Sequence, residues 1–341
     1  MVRAWAAAIL LSRRLQQARG ILQGVFASGC PIVLWMNRRQ FVGLATSALG
    51  ATVLPEAFAF APVRPFALGV VLKPYGAPEE RLRMVHELGF PTVFLSMDDY
   101  LGKFTPELAR QYRGLLDKYQ LTATTIEVVG PPPLTWNFMQ GPTTIGVVPP
   151  VTRAARIDAL RQASDFAKQV GIEQVQTHCG FIPENPGDPL YPQTVKAIRT
   201  VAQHCQANGQ VFLMETGQET PTTMSRAIHD VSMPNLGVGL DTANLLLYGK
   251  ANPVDAIDIL GPHIMSVHAK DGRWPTDPYK FGEEVLIGTG MVDFRAVFTK
   301  LHRLGYKGAI TIERETSGAQ QVADFRTEKA YLEKVIGEVT R

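Results

Sequence analysis

Four short segments in the second half of the chain decide the fold: VFLMETG (211–217), LGVGLDTAN (236–244), IMSVHAKD (264–271) and GAITIERE (308–315). Each contains an apolar run that is typical of a buried strand. A polar side chain follows at or just past the end of each run, and these are Glu215, Asp241, His268 and Glu313. Because the carboxyl ends of parallel strands share one edge of a sheet, we expect the four side chains to lie close together.

Strand-like and helix-like segments alternate from Pro62 onward, which is typical of α/β folds. The pattern predicts eight strands, at 66–72, 91–97, 121–129, 173–178, 211–216, 236–241, 264–269 and 308–313. A helical segment follows every strand, so residues 62–341 are predicted to form a single catalytic domain, a closed (β/α)8 TIM barrel. The Pro- and Gly-rich segments 131–150 and 271–290 are predicted to be irregular loops, the first of them over the mouth of the barrel.

Residues 36–61 resemble a twin-arginine export signal. Arg38 and Arg39 precede a stretch rich in Gly, Ala and Thr that is only moderately apolar. Small residues offer cleavage sites near Ala59 and Ala61, so we expect export by the twin-arginine machinery and a periplasmic mature protein. A Sec signal or an uncleaved anchor is the alternative. The apolar stretch looks shorter than the about 20 residues that span a membrane, so we expect no stable anchor in the mature form.

The basic charge of the chain is concentrated in the leader, residues 1–61. This leader includes a segment, 1–35, that fits neither a domain nor a standard signal, and we expect Met36 to be the true start. Residues 1–61 carry six arginines and one glutamate, a net charge of +5. The rest of the chain carries 28 basic and 30 acidic groups, a net charge of −2. This balance argues against nucleic acid as a partner of the mature domain.

The four polar residues at the strand ends offer the ligands of a divalent metal ion. Successive positions lie 26, 27 and 45 residues apart, about one β/α unit each except where the segment 271–290 intervenes. Neighbouring strands lie about 4.8 Å apart, so side chains at four successive strand ends can reach one ion. Three carboxylates and one imidazole suit Mn²⁺, Mg²⁺ or Co²⁺, with Zn²⁺ as a further candidate. For each residue taken alone, a satisfied polar group at a strand end is the alternative.

Several motifs carry a resemblance to a known family: METGQE, GLDTANLLLYG, VHAKD, IGTGMVDF and LGYKGAITIERE. Together they resemble the xylose-isomerase-like TIM barrel superfamily, in particular the sugar isomerase/epimerase branch that includes the ketose 3-epimerases. The resemblance covers most of 66–340 and is densest from 211 onward. It implies a metal-dependent isomerase with a carbohydrate substrate and one bound divalent ion. The implied metal ligands are Glu215, Asp241, His268 and Glu313, and the implied catalytic bases are Glu215 and Glu313.

Proton removal next to a sugar carbonyl makes chemical sense for such a site. Loss of the proton α to the carbonyl creates an enediolate, whose negative charge a metal ion can offset. A carboxylate on each face then allows the proton to leave from one side and to return on the other, which inverts the carbon centre. The expected reaction is therefore an isomerisation or an epimerisation.

Six further residues are predicted to contact the substrate: His178, Glu219, Asn244, Arg273, Trp136 and Trp274. The alternatives are a buried structural histidine, a helix-start cap at Glu219, a solvated loop arginine, and tryptophans that only pack. Some epimerases of this branch place a histidine three residues after the metal aspartate, where this chain has Asn244. Asparagine can hydrogen-bond a hydroxyl group but cannot titrate, so the substrate and the reaction stay open.

Three alternative functions share the barrel. A 3-keto-glycoside lyase or hydrolase would form the same enediolate but expel a leaving group. An endonuclease IV-like phosphodiesterase would need more histidines and a basic cleft. A non-catalytic sugar-binding protein is expected to have lost one of the four metal-binding residues. Export favours a free sugar, keto-sugar or glycoside over a sugar phosphate. Because barrels of this type are often dimers or tetramers, a homo-oligomer is a further expected partnership.

Overall fold

The computed structural model describes residues 64–341. The predicted leader, with its segments 1–35 and 36–61 and the Arg38–Arg39 pair, lies outside the described residues. Within 64–341, no helix is both long enough and apolar enough to cross a membrane.

Eight parallel strands of the described residues close into a barrel, and an antiparallel hairpin lies between the seventh and the eighth of them. The strands are β1 (Leu68–Leu72), β2 (Thr92–Ser96), β3 (Thr122–Glu127), β4 (Gln174–Thr177), β5 (Val211–Glu215), β6 (Leu236–Asp241), β7 (Ile264–Ala269), β8 (Asp271–Arg273), β9 (Glu283–Val285) and β10 (Ile310–Ile312). Strands β1 to β7 follow one another around the barrel, and β10 closes it between β7 and β1. The prediction of a (β/α)8 TIM barrel is therefore confirmed.

Helices follow the barrel strands along the chain. They are α1 (Pro78–Glu87), α2 (Pro106–Lys118), α3 (Gly141–Thr144), α4 (Pro150–Val170), α5 (Leu190–Ala207), α6 (Pro221–Val231), α7 (Asn244–Leu247), α8 (Pro253–Leu260), α9 (Phe294–Arg303) and α10 (Gly318–Val339). Side-chain oxygens of Thr105, Asn252 and Asp293 each accept one free backbone N–H group in the first turn of α2, α8 and α9. Gly171 ends α4 in the left-handed conformation that glycine adopts without strain.

The space between the barrel and the helices is filled by apolar side chains. Phe166 on α4, Phe212 on β5 and Phe298 on α9 are each almost completely buried there. Removing one such ring typically costs about 3–5 kcal/mol, because a cavity is left behind in addition to the lost apolar burial. This rigid shell holds the strand ends in a fixed register.

The register of the strands aligns the predicted ligands. Asp241 at the end of β6 pairs directly with His268 on β7, and Glu215 at the end of β5 pairs with Gly239 on β6. The backbone N–H of Glu313, the residue after β10, donates to the carbonyl oxygen of Ala269 at 3.1 Å. All four side chains therefore stand at the same, carboxyl end of the barrel.

The segment 271–290 is not an irregular loop throughout, and this part of the sequence prediction was wrong. Strands β8 and β9 form the hairpin. Hydrogen bonds to the side chain of Asp271 hold the segment that follows the hairpin. The Asp271 carboxylate accepts four backbone N–H groups, from Gly272, Gly288, Gly290 and Val292. The segment 131–150 likewise contains a short helix, α3, although most of it is irregular.

Candidate metal centre

Four side chains from neighbouring strand ends converge on one point. Ligand atoms of Glu215, Asp241, His268 and Glu313 all lie within 4.8 Å of one another. His268 Nδ1 lies 3.0 Å from Glu313 Oε2, 3.3 Å from Glu215 Oε1 and 3.9 Å from Asp241 Oδ2. The ring of Phe94 packs edge-on against the imidazole, with 4.5 Å between the ring centroids, and this contact helps to fix the orientation of His268.

The donor set fits a divalent cation. Asp241 Oδ1 accepts backbone N–H groups from Ala243 and Asn244, whereas its Oδ2 has no hydrogen-bond partner among the described residues. His268 can place only one proton on Nδ1, yet three carboxylate oxygens surround that nitrogen. Buried carboxylates repel one another unless positive charge is added, and a divalent ion held by oxygen and imidazole ligands would supply it.

The pKa values of these buried groups are shifted by burial and by the charges of their neighbours. Burial raises the pKa of Asp241 well above its usual range, although the charge of Lys270 opposes the rise. Burial also acts to raise the pKa of Glu215, but the charges of His178 and His268 outweigh it and lower that pKa to about 2. For Glu313, Lys270 and His268 outweigh burial and hold the pKa well below its usual range.

Glu215 is held by donors on both of its oxygens. Gln176 Nε2 donates to Oε2 at 2.9 Å, and Asn244 Nδ2 donates to Oε1 at 3.2 Å. His178 Nε2 lies 3.2 Å from Oε2. Gln176 can occupy this position because strand β6 has Gly239 beside it, where a Cβ would come within 2.2 Å of Gln176 Oε1. The carboxylate is therefore fixed in one orientation.

A cavity of about 510 Å³ lies next to the four-residue cluster and is lined by one of its members, Glu313. That volume falls within the usual range of small-molecule sites, about 300–1,000 Å³. Its lining includes Trp136, His178, Asn244, Lys270, Glu313 and Glu315. Trp136 packs edge-on over His178, with 4.9 Å between the ring centroids, and stays 43% exposed, so it offers an aromatic surface next to a residue that contacts Glu215.

Three of the six predicted substrate contacts line this cavity, and they are Trp136, His178 and Asn244. In the described part of the chain, Arg273, Trp274 and Glu219 are not among the lining residues. Arg273 ends strand β8 and points to the surface, where its Nη1 lies 3.1 Å from Glu283 Oε2 on β9. Trp274 follows Arg273 in the hairpin and is 43% exposed. Glu219 is almost completely buried, and neither of its carboxylate oxygens has a hydrogen-bond partner in the described part of the chain.

The sequence reasoning missed two charged residues of the site. Glu127 at the end of β3 is buried, and it groups with His178 and Glu215 within 4.8 Å. Burial and the charge of Glu215 raise the pKa of Glu127 well above its usual range. Lys270 follows β7 and is 2% exposed, and burial acts to lower its pKa, but Glu313, Asp241 and Glu315 raise it well above its usual range. The available signals were the lone charge inside the apolar run TIEVV, for Glu127, and the position of Lys270 directly after the run of β7.

Comparison with known proteins places the chain in a family. The family described as the xylose isomerase-like TIM barrel matches residues 82–335, well over half of the chain. The chain therefore belongs to the xylose isomerase-like TIM barrel family, as the sequence motifs implied.

Three relatives illustrate the range of similarity. The crystal structure of a xylose isomerase domain protein from Planctomyces limnophilus is 31% identical, with a TM-score of 0.76, over 81% of this chain and 99% of that one. The L-ribulose-5-phosphate 3-epimerase UlaE of Salmonella paratyphi C is 27% identical over 271 residues, 75% of this chain and 89% of the relative. The uncharacterised protein MJ1311 of Methanocaldococcus jannaschii is 26% identical over 194 residues, and the match spans 54% of this chain and 64% of that relative.

Proposed function

We propose that this protein is a divalent-metal-dependent isomerase or epimerase of a sugar or sugar derivative, which removes a proton α to a carbonyl group. The observation that carries the proposal is the convergence of Glu215, Asp241, His268 and Glu313 next to a cavity that Glu313 lines. The name of the relative UlaE, a sugar 3-epimerase, supports the same class of reaction.

The two glutamates are suited to complementary roles. Glu215 is 1% exposed and held by His178, Gln176 and Asn244, so its carboxylate is fixed in direction. The Glu313 side chain is 20% exposed and lines the cavity. A carboxylate held in one orientation loses little freedom when it takes a proton from carbon, because the reacting geometry is already set.

A divalent ion held by the four ligands would add positive charge beside the substrate oxygens and so offset the charge that develops as the proton leaves. One of Glu215 and Glu313 takes the proton from the substrate carbon, and the other returns a proton that it has taken from water. When the proton returns on the opposite face the carbon is inverted, and when it returns to the neighbouring carbon the carbonyl moves.

The test is incubation with a panel of ketoses, aldoses, 3-keto-sugars, 3-keto-glycosides and their phosphates in D₂O, followed by NMR. We expect deuterium to enter one carbon next to the carbonyl of a substrate, with a new stereoisomer or a shifted carbonyl as product. Release of an aglycone would identify a lyase or hydrolase. No exchange with any member of the panel, in protein saturated with Mn²⁺, Mg²⁺ or Co²⁺, would contradict the proposal.

A second expectation concerns the bases themselves. Glu215→Gln and Glu313→Gln should each lower the rate of deuterium exchange by about 100-fold or more, because positioned proton transfer contributes about 10²–10⁴-fold to rates. Glu184→Gln, a change at an exposed glutamate, is the matched control and should leave the exchange rate unchanged. Exchange that survives both changes would refute the assignment of the bases.

A further inference from the structure

Lys270 is a buried cation that the proton transfer proposed above does not use. Its side chain is 2% exposed, and the residue lines the same cavity as Glu313. A charge removed from water is costly unless it is paired, so a lysine at this position requires close partners. The identity of those partners indicates what the ammonium group does.

The contacts of Lys270 lead to both of the proposed bases. Its Nζ lies 3.6 Å from Glu313 Oε1 and 3.4 Å from Asn244 Oδ1. Asn244 in turn donates through Nδ2 to Glu215 Oε1. The ammonium group therefore contacts one glutamate directly and reaches the other through a single amide.

The nearest partner of Lys270 is one that a substrate could replace. Nζ donates to Glu315 Oε1 at 2.5 Å, and the Glu315 side chain is 60% exposed. The Glu315 carboxylate regains water when the ion pair opens, whereas the buried ammonium group of Lys270 then needs another acceptor. A substrate oxygen that enters the cavity can therefore take the place of Glu315 as hydrogen-bond acceptor.

The main chain of Lys270 is fixed by the neighbouring strand. Thr242, the residue after β6, donates through Oγ1 to the carbonyl oxygen of Lys270 at 2.6 Å. The same hydroxyl accepts from the Lys270 backbone N–H at 3.2 Å. A cation on a fixed support stabilises developing negative charge without having to reorganise as the reaction proceeds.

We propose that Lys270 is a further catalytic residue, whose ammonium group donates a hydrogen bond to the substrate oxygen that becomes negative during proton removal. The inference rests on the proposed function. As one glutamate takes the proton, the C–H electron pair forms the C=C bond of the enediolate, and the carbonyl π pair moves to oxygen. Lys270 keeps its own proton and stabilises that oxygen. The other glutamate then passes a proton from water to carbon, the carbonyl forms again, and the first glutamate releases its proton to water.

Variants of Lys270 test this role. Lys270→Met and Lys270→Gln remove the charge, and Lys270→Arg keeps it. Each is measured for its melting temperature, its Mn²⁺ affinity, and kcat and KM on the sugar that exchanges deuterium in the panel described above. We expect kcat to fall about 100- to 1,000-fold in the neutral variants, the usual cost of losing one donor to a developing oxyanion. Their Mn²⁺ affinity should be retained and KM should change less than about threefold.

The arginine variant and a control complete the test. Lys270→Arg should recover at least about tenfold in kcat over the neutral variants, because the positive charge is kept. Lys329→Met is the matched control: Lys329 donates to the carbonyl oxygens of Leu88 and Gly89 from α10 and does not line the cavity. Its loss should leave kcat within about threefold of the parent.

Each contrary result has its own meaning. A neutral variant that folds, binds Mn²⁺ and keeps kcat within about tenfold of the parent overturns the inference. A rise in KM alone, or failure of both neutral variants to fold, also overturns it, because Lys270 would then serve only binding or stability. Failure of the proposed function is recognised separately, since the parent protein would then exchange deuterium with no sugar, and the inference would fall with it.

Discussion

Asp241 and His268 stand directly opposite each other on β6 and β7, and their side chains approach to 3.9 Å between Oδ2 and Nδ1. The pair comes from two strands whose register is fixed by the barrel, so Oδ2 and Nδ1 are held close together by the barrel itself. Neither atom needs to be moved by a loop, and the cost of assembling the site is low. Changes at this pair should therefore affect metal binding far more than the fold.

Asp241→Asn is expected to lower Mn²⁺ affinity by about 100-fold or more, because even residues behind metal ligands typically contribute 10- to 100-fold. The amide keeps the shape of the side chain but removes the negative charge from the unpartnered Oδ2. Titration with Mn²⁺ followed by electron paramagnetic resonance measures the affinity. Asp117→Asn, at an exposed aspartate on α2, is the control. Equal affinity in the two variants would show that Asp241 is not a ligand.

Asp271→Asn is expected to destabilise the chain after the hairpin. The carboxylate accepts four backbone N–H groups, and an amide would turn a donor toward two of them. Hydrogen bonds to charged groups contribute about 1.5–3 kcal/mol each, so we expect the free energy of unfolding to fall by about 3 kcal/mol. Urea unfolding measures this change, with Asp117→Asn again as the control. A loss of less than about 1 kcal/mol would mean that the loop is held by other contacts.

The sequence predicts most of the barrel because each strand is an apolar run. It predicts that Glu215, Asp241, His268 and Glu313 lie together because a polar side chain follows each run in the second half. The sequence did not indicate Glu127 as a strand-end residue, because the apolar run around it continues to Val129, two residues past the end of β3. The hairpin was missed because its anchor, Asp271, bonds residues up to 21 positions away. Arg273 was placed near the substrate by its distance along the chain from His268, whereas the hairpin turns it toward Glu283. Local pattern does not contain such long-range contacts.

Glu219 is expected to make stability depend on pH. Burial raises the pKa of Glu219 to about 8, from an ordinary value of 4.5. The folded chain therefore keeps a proton that the unfolded chain releases, and stability falls as pH rises from 4.5 to 8. Glu219→Gln cannot ionise, so it should raise the free energy of unfolding by about 1–3 kcal/mol at pH 8 and change it little at pH 5.

Urea unfolding across this pH range measures the effect of Glu219→Gln. Glu87→Gln, at an exposed glutamate of α1, is the control and should be neutral at every pH. If Glu219 instead contacts the substrate, the Gln variant should show the stability of the parent at pH 8 together with a raised KM. That pattern would support the prediction made from the sequence over the buried, protonated state.

Residues 36–61 are proposed to direct export, and the Arg38–Arg39 pair allows a direct test. Replacing both arginines by lysine should block passage through the twin-arginine route, so that the precursor stays in the cytoplasm. Cell fractionation followed by immunoblotting measures the distribution. Replacing Arg110 and Arg113, two exposed arginines of α2, by lysine is the control and should leave export unchanged. Export that is unaffected in the Arg38–Arg39 variant would argue for another route.

Arg156 is expected to hold the loop that carries Trp136. This fully buried arginine of α4 donates to the carbonyl oxygens of Gly146 and Pro133 at 2.8 and 2.7 Å, and thus joins two distant parts of the segment 131–150. Arg156→Met keeps the bulk of the side chain but leaves these carbonyls without a donor, which costs about 1–3 kcal/mol for each buried group. We therefore expect a loss of about 2–4 kcal/mol in the free energy of unfolding.

Because the loop is freed in Arg156→Met, Trp136 should become more accessible to acrylamide quenching, and KM should rise more than kcat falls. Arg110→Met, at an exposed arginine of α2, is the control, and an Arg156→Met protein with unchanged quenching would show that the loop is positioned by its own packing.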